Sequence, residues 1–179
     1  MGQKMKFKVF LSMLLAVVLL AACGGTDNGD QETEEDTDVV AAASFVEDEE
    51  GLQAASDENG KWIIIPTTDI NLGEELVVAG TFHDGGDESK DVYRKIAAYE
   101  QDDDRNITAQ HTITTSRLVV QSENLNFQGG TLDGDVYVEA DGFQLHETAT
   151  ITGDLVFANA DFEASADISG TVEGETTVE

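Results

Sequence analysis

Two eight-residue stretches decide the fold: Thr131–Val138, which reads TLDGDVYV, and Thr150–Phe157, which reads TITGDLVF. Weaker copies of the same pattern occur at Asp167–Val172 and upstream at Thr112–Val120. The leading apolar residues of the four copies are spaced by 19, 19 and 17 positions, and they are Ile113, Leu132, Ile151 and Ile168. A repeat of this length, built from short alternating strands and Gly-Asp turns, predicts strands that stack one repeat upon the next.

A second apolar group recurs seven positions after the start of each hydrophobic run, at Leu125, Phe143 and Phe162. An earlier copy runs from Ile70 through Leu76–Val78 to Phe82. We therefore predict an all-β fold, a small β-helix or solenoid of about four to five coils with glycine or small polar residues at the corners. An antiparallel sandwich or meander also has strands every 8–12 residues and is the alternative.

The Gly-Asp steps at Leu132–Val136 and Ile151–Leu155, with the weaker Ile168–Val172, give residues 112–174 a family resemblance. This region resembles the β-helix of bactofilins, a family of polymer-forming proteins. The resemblance implies a right-handed, three-sided β-helix that associates end to end. The resemblance covers about a third of the chain. Bactofilins are typically cytosolic, whereas this chain begins with the export signal described below. The chain is also similar to uncharacterised surface lipoproteins of Gram-positive bacteria.

The first 22 residues have the layout of a secretory signal. Lys4, Lys6 and Lys8 precede an apolar run from Val9 to Ala22 that only Ser12 interrupts. About fourteen residues suit a signal sequence and fall short of the ~20 that span a bilayer. The run ends in Leu-Ala-Ala-Cys, which resembles the lipobox of bacterial lipoproteins. That resemblance implies cleavage before Cys23, a diacylglyceryl group on its sulfur, and a protein held on the extracytoplasmic face of the cell membrane. The alternative is an ordinary signal peptide or N-terminal anchor whose cysteine is incidental.

Residues 23–50 form the lipidated cysteine and an acidic tether. Loss of the signal leaves six basic residues against 37 acidic ones, a net charge of −31. Such a charge repels phosphates, so the sequence excludes nucleic acid as a partner. Residues 24–50 hold eleven Asp or Glu and no Lys or Arg, which predicts a disordered, extended linker. Its one apolar patch, residues 39–46, is typical of either a short helix or an outlying strand.

Residues 51–179 are predicted to form the solenoid, and residues 83–111 to interrupt it as an insertion. The insertion carries four basic residues that either neutralise neighbouring acids or form a ligand patch, namely Lys90, Arg94, Lys95 and Arg105. Its carboxylates are weak candidates for a calcium site, with solvated acidic loops as the alternative: Asp84, Asp87, Glu88 and Asp91. The spacing of His83, His111 and His146 is not that of metal ligands. Gly129-Gly130 lacks the third glycine of a calcium nonapeptide repeat.

The sequence contains no nucleophile–base signature, so we predict neither an enzyme nor a cofactor. The predicted function is a membrane-anchored structural or interaction module that self-associates through its coil ends, because an uncovered end exposes strand edges able to pair. As an alternative to self-association, the acidic C-terminal segment Thr171–Glu179 would cap the last coil. The alternative function is a surface module for cations or polysaccharide, centred on residues 83–111.

Overall fold

The computed structural model describes residues 43–179, so the predicted signal peptide, Cys23 and most of the tether lie outside the described residues. Residues 43–179 contain two α-helices, α1 (Glu49–Ser56) and α2 (Ala160–Ser165), with a short 3-10 turn at Asp84–Gly86. The strands are β1 (Ala43–Val46), β2 (Ile63–Pro66), β3 (Ile70–Asn71), β4 (Glu75–Val78), β5 (Arg94–Ala97), β6 (Tyr99–Gln101), β7 (Ile107–Gln110), β8 (Thr112–Val120), β9 (Leu125–Gln128), β10 (Thr131–Val138), β11 (Gln144–Leu145), β12 (Thr150–Ile151), β13 (Leu155–Phe157), β14 (Asp167–Ile168), β15 (Thr171–Val172) and β16 (Thr176–Val178).

These strands pair in three parallel ladders. The first ladder runs β1-β2-β5-β9-β11-β14. The second joins β3, the start of β8, the start of β10, β12 and β15, and the third joins β4, the end of β8, the end of β10, β13 and β16. Antiparallel pairing among the described residues is confined to the β6–β7 hairpin and a bridge between His83 and Val92. The all-β prediction is confirmed, and the parallel pairing does not fit the antiparallel alternative.

The leading positions of the predicted repeat match the strand register except in the last copy, and the earlier copy is wrong at Phe82, because Arg94 and not Phe82 pairs with Leu125. Leu132 pairs with both Ile113 and Ile151, and Ile70 pairs with Ile113, as the repeat requires. Ile168 instead pairs with Leu145 in the first ladder, and Val172 takes the place opposite Ile151. The predicted spacing of 17 is therefore wrong and the actual spacing is 21. Helix α2 causes the shift, because it lengthens the preceding connection.

Side chains that point between the ladders form one apolar core. Leu76, Leu118, Val136 and Leu155 stack in register and are all buried. Successive strands in a sheet lie ~4.8 Å apart, so each side chain contacts its equivalents above and below. Burial of a Leu or Val side chain is worth about 1.5–3 kcal/mol, which makes these stacks the main stabilising contribution of the repeat.

The Gly-Asp step of the repeat marks a corner where backbones approach closely. A Cβ on Gly153 would lie 2.5 Å from the carbonyl oxygen of Gly134, one repeat earlier, so no side chain fits there. The following aspartate serves the next repeat, because the Asp135 carboxylate accepts a 2.9 Å hydrogen bond from the Asp154 amide. Asp154 accepts in the same way from the Glu175 amide at 2.8 Å. Glycine thus permits the stacking, and aspartate satisfies a corner amide that no strand partner reaches.

Helix α1 covers the N-terminal end of the ladders. Asp48 caps it by accepting a 2.8 Å hydrogen bond from the Gly51 amide, and Leu52 and Ala55 are buried beneath it. The predicted boundary between tether and folded region, at residue 50, is therefore wrong: it falls inside α1, and β1 already pairs with β2. Residues 43–46, which the sequence left as helix or strand, form a strand.

Arg94 fastens this covering helix to the ladders. Its side chain is fully buried, with 0 % exposure, at the position that pairs with Leu125. The guanidinium donates to the carbonyl oxygens of Ala55 (2.7 Å) and Asp57 (3.1 Å) at the end of α1. It also donates to Ser122 Oγ at 3.1 Å and to the Ala79 carbonyl oxygen. Burial lowers the pKa of Arg94 to about 10, which still leaves it charged at neutral pH.

The position of Arg94 corrects the predicted insertion. Strand β5 pairs with β2 and β9, so residues 94–97 belong to the first ladder. Residues 83–111 are consequently two separate excursions, a loop before β5 and the β6–β7 hairpin after it. Arg94 makes its hydrogen bonds to carbonyl and hydroxyl oxygens and none to a carboxylate, although the nearby Asp57 carboxylate partly opposes the lowering of its pKa by burial.

We expect Arg94→Met to lower the free energy of unfolding by about 3 kcal/mol, because it strands several buried carbonyl oxygens. Arg117→Met is the matched control, since Arg117 is exposed and lies 5.7 Å from the ring of Tyr137. The control should change stability by no more than about 0.5 kcal/mol. Urea unfolding of both variants measures the difference, and equal losses would refute the role given to Arg94.

Candidate interaction surfaces

The predicted calcium candidates are not gathered into one group of ligands in the part of the chain that the structure describes. Asp84 and Asp91 line one open depression of about 790 Å³, together with Glu123 and Tyr93. Asp87 is occupied locally, because its carboxylate accepts hydrogen bonds from the Ser89 amide and hydroxyl at 2.9 and 2.7 Å. The bond from the Ser89 amide contributes most to lowering the pKa of Asp87. Within residues 43–179, no group of three or more His, Cys, Asp or Glu is arranged to hold a metal ion.

The three histidines lie in loops or at corners. His83 Nδ1 is 2.8 Å from the Lys90 carbonyl oxygen, and His146 Nδ1 is 2.9 Å from Thr148 Oγ1. His111 Nε2 lies 3.3 Å from Glu100 Oε1, at the base of the β6–β7 hairpin. They are far apart in the chain and serve separate local contacts.

The outward face of the first ladder changes character along its length. In the later strands the outward residues are polar, with Asn126 and Gln144 aligned in register. In the first strands the equivalent positions are apolar, with Ile63 on β2 and the pair Phe45 and Ile65 on β1 and β2. The Phe45 side chain is 56 % exposed. The later strands have polar residues at the equivalent positions, so the fold does not require apolar residues there. An apolar patch at one end of the ladder therefore indicates an interaction surface.

Beside this patch lies a groove, which we call the aromatic groove. It has a volume of about 500 Å³ and is lined by Phe45, Trp62, Ile63, Ile65, Thr67, Lys95, Ala97, Tyr99, Glu100 and Gln101. The Trp62 ring lies 6.0 Å from the ring of Tyr93, inclined at 41°. The Tyr93 hydroxyl in turn accepts a 2.9 Å hydrogen bond from Asn126. The indole therefore packs beside Tyr93, while its buried N–H has no hydrogen-bond partner among the described residues.

Lys95 is the only cation among the groove's lining residues. Its Nζ lies 3.4 Å from the Tyr99 hydroxyl and 5.6 Å from the centre of the Tyr99 ring. Burial lowers the pKa of Lys95, and the more distant Asp84 partly opposes this effect. Burial also raises the pKa of Tyr99. The groove thus places a partly desolvated ammonium beside a neutral phenol, two groups that can hydrogen-bond a polar ligand.

The β6–β7 hairpin forms one wall of the groove, and two glycines of the next level make room for its base. Gly129 and Gly130 have φ values of 69° each, in the left-handed region. A Cβ on Gly130 would collide with the carbonyl oxygens of His111 and Ala98, where the hairpin leaves and rejoins the ladders. The Tyr99 ring packs directly on Gly129. Gly129 and Gly130 thus leave space for the base of the hairpin. This role explains the glycine pair, which in sequence resembles part of a calcium nonapeptide repeat.

Sequence reasoning missed the aromatic groove although a signal was present. Residues 62–65 read Trp-Ile-Ile-Ile, a continuous apolar run where a strand with one solvent-facing side would alternate. Such a run is typical of a strand covered on both faces. The approach of the hairpin to this strand, by contrast, depends on contacts between distant residues.

Among the described residues, α1 covers the N-terminal level and no helix covers the C-terminal one. Strands β14, β15 and β16 each have one described partner, which leaves their outer edges unpaired among the described residues. Ile168 and Val178 continue the core stacks from Leu145 and Phe157 but are each 37 % exposed. The same C-terminal segment carries exposed carboxylates at Asp167, Glu173, Glu175 and Glu179. We call this surface the terminal edge.

No known protein family matches the chain, and no curated protein or solved structure is detectably similar to it. The resemblance to bactofilins consequently stays a prediction. Among the described residues, no helix is long and apolar enough to cross a membrane.

We expect Gly130→Ala to destabilise the fold by about 2 kcal/mol more than Gly73→Ala, because overpacking adds to backbone strain. The pair is matched: Gly73 has a φ of 66°, but a Cβ there meets no atom within 4 Å. Urea unfolding measures both changes. Equal destabilisation would show that only the left-handed backbone, and not the approach of the hairpin, demands glycine.

Proposed function

We propose that this chain is a membrane-anchored extracytoplasmic lipoprotein whose folded part is a β-solenoid acting as a structural and interaction module. The lipobox-like end of the N-terminal apolar run supports the anchor. The parallel ladders, with five strands stacked in the third, support a solenoid of five coils. A right-handed path follows the general preference for right-handed connections between parallel strands.

The terminal edge is the observation that carries the interaction role. Unpaired strand edges present backbone donors and acceptors that a second strand edge can satisfy. A second copy of this chain offers the same edges together with Ile168 and Val178, so two copies are self-complementary about a two-fold axis. Helix α1 covers the opposite end, where Leu52 is buried. Association through the terminal edge alone gives a pair, and a filament would also require the outer edge of β1, which is unpaired among the described residues.

Charge sets the conditions for this pairing. The last level carries Asp167, Glu173, Glu175 and Glu179, and two copies bring these carboxylates together. Exposed like charges repel less when salt screens them, with a Debye length of ~10 Å at 0.1 M and ~3 Å at 1 M. The pair is consequently favoured by high ionic strength, the opposite of an association held by salt bridges.

We expect the full chain in a neutral detergent to shift from monomer toward dimer as salt rises, and Val178→Asp to abolish the shift. Val77→Asp is the matched control, because Val77 is 38 % exposed against 37 % for Val178 but lies on β4, away from the terminal edge. Light scattering coupled to size-exclusion chromatography gives the mass. A monomer at every salt concentration, or equal effects of both variants, would refute pairing through this edge.

We expect Cys23→Ser to release the protein from the membrane fraction, since the acyl chains would be lost at ~0.8 kcal/mol per buried methylene. Ser12→Ala, which keeps the apolar run intact, is the control and should stay anchored. Partition between detergent and aqueous phases after expression in a bacterium measures the difference. Retention of Cys23→Ser in the detergent phase would favour an uncleaved N-terminal anchor instead.

The alternative function, a module for cations or surface polysaccharide, stays a prediction. The carboxylates of residues 83–91 do not support cation binding, because the described residues contain no group of three or more His, Cys, Asp or Glu that could hold a metal ion. The polysaccharide half has a specific observation in its favour, the aromatic groove, whose wall is the hairpin within residues 83–111.

A further inference from the structure

We propose that the aromatic groove binds a neutral glycan chain. This binding site is separate from the terminal edge, since it lies on the outward face of the first three strands of the first ladder. It gives a location and a ligand class to the polysaccharide alternative. The argument depends on the surfaces that line the groove, their hydrogen-bonding groups and their charge.

The groove offers apolar and aromatic surfaces to a ligand. Phe45 is the most exposed large apolar side chain of the described residues, at 56 %. Tyr99 adds a second, half-buried ring, while Trp62 lines the groove but is itself buried at 7 % exposure. Sugar rings carry C–H groups on their faces, and flat aromatic rings are the side chains that cover such faces at little cost in conformational entropy.

Polar groups that can hydrogen-bond to sugar hydroxyls also line the groove. Lys95 Nζ and the Tyr99 hydroxyl lie together at 3.4 Å, Glu100 and Gln101 follow on the hairpin, and Thr67 lies on the other side. Ligand sites commonly combine an apolar lining with a few such groups. A pyranose matches this arrangement, because its hydroxyls project from the ring edge while its faces stay apolar. A purely apolar protein segment would desolvate the ammonium and the carboxylate without offering either a hydrogen bond.

Charge decides between neutral and acidic glycans. The lining contains one cation, Lys95, and one carboxylate, Glu100, so the groove itself is neutral. The chain around it has a net charge of −28. A polyanionic chain would therefore meet long-range repulsion without a compensating basic patch. A neutral chain meets none, which makes it the favoured ligand.

Trp62 makes the proposal directly testable, because it is the chain's single tryptophan. The full chain in small phosphatidylcholine vesicles is titrated with cellohexaose and with chitohexaose, two neutral β-1,4-linked hexamers. A hexamer of galacturonic acid is the anionic comparison. We expect a saturable change in Trp62 emission with a neutral hexamer and a much weaker one with the anionic hexamer.

Two variants assign the binding to the groove. Phe45→Ala and Tyr99→Ala should each weaken it about tenfold, the equivalent of ~1.4 kcal/mol. Tyr137→Ala is the matched control, since Tyr137 lies on the third ladder beside Glu179. Circular dichroism verifies that all three remain folded. The proposal is overturned if no neutral hexamer changes the emission, if the anionic hexamer binds better, or if Tyr137→Ala weakens binding as much as the groove variants. Competition by an apolar peptide and not by the hexamers would identify a protein-binding groove instead.

Discussion

Backbone contact between successive levels of the ladders is the constraint on which the rest of the structure depends. Each strand must find its hydrogen-bond partner one repeat away, ~4.8 Å along the stack. The corners must therefore pass over one another without side chains, and Gly153 lies over Gly134 for this reason. The corner amides also need acceptors, which Asp135 and Asp154 supply. The Gly-Asp pair in each repeat meets both requirements, because glycine allows the close approach and aspartate supplies the acceptor.

Arg94 solves a different problem, the attachment of a helix to the end of a stack. The carbonyl oxygens at the end of α1 have no partners within the helix, and a cation there also interacts favourably with the helix dipole. One guanidinium reaches Ala55, Asp57 and Ser122 together, which a lysine could not do because it lacks the planar fork. Its hydrogen bonds compensate the desolvation of a charge placed where the following level has Leu125.

The sequence predicted those features that repeat and missed those that occur once. Ile113, Leu132 and Ile151 lie in one stack, as their equal spacing indicated. The last copy failed because α2 changed the spacing, although Asn159, which caps this helix, and the acidic residues of its first turn are local signals that predict it. Arg94 was assigned to an insertion because a buried arginine resembles a surface one in sequence. The aromatic groove joins β1, β2, β5 and the hairpin, which are brought together only by tertiary contacts.

If the chain is anchored and pairs as proposed, the two ends of the ladders fix how the pair is oriented toward the membrane. The described chain begins at β1, on the end covered by α1, and the terminal edge lies at the opposite end of the stack. Two copies joined through their terminal edges would thus carry their tethers at the two far ends. At ~4.8 Å per strand, roughly 50 Å would separate the points where the tethers begin. Such a pair has the geometry of a strut, able to connect two facing membranes or to lie flat between two anchoring points on one.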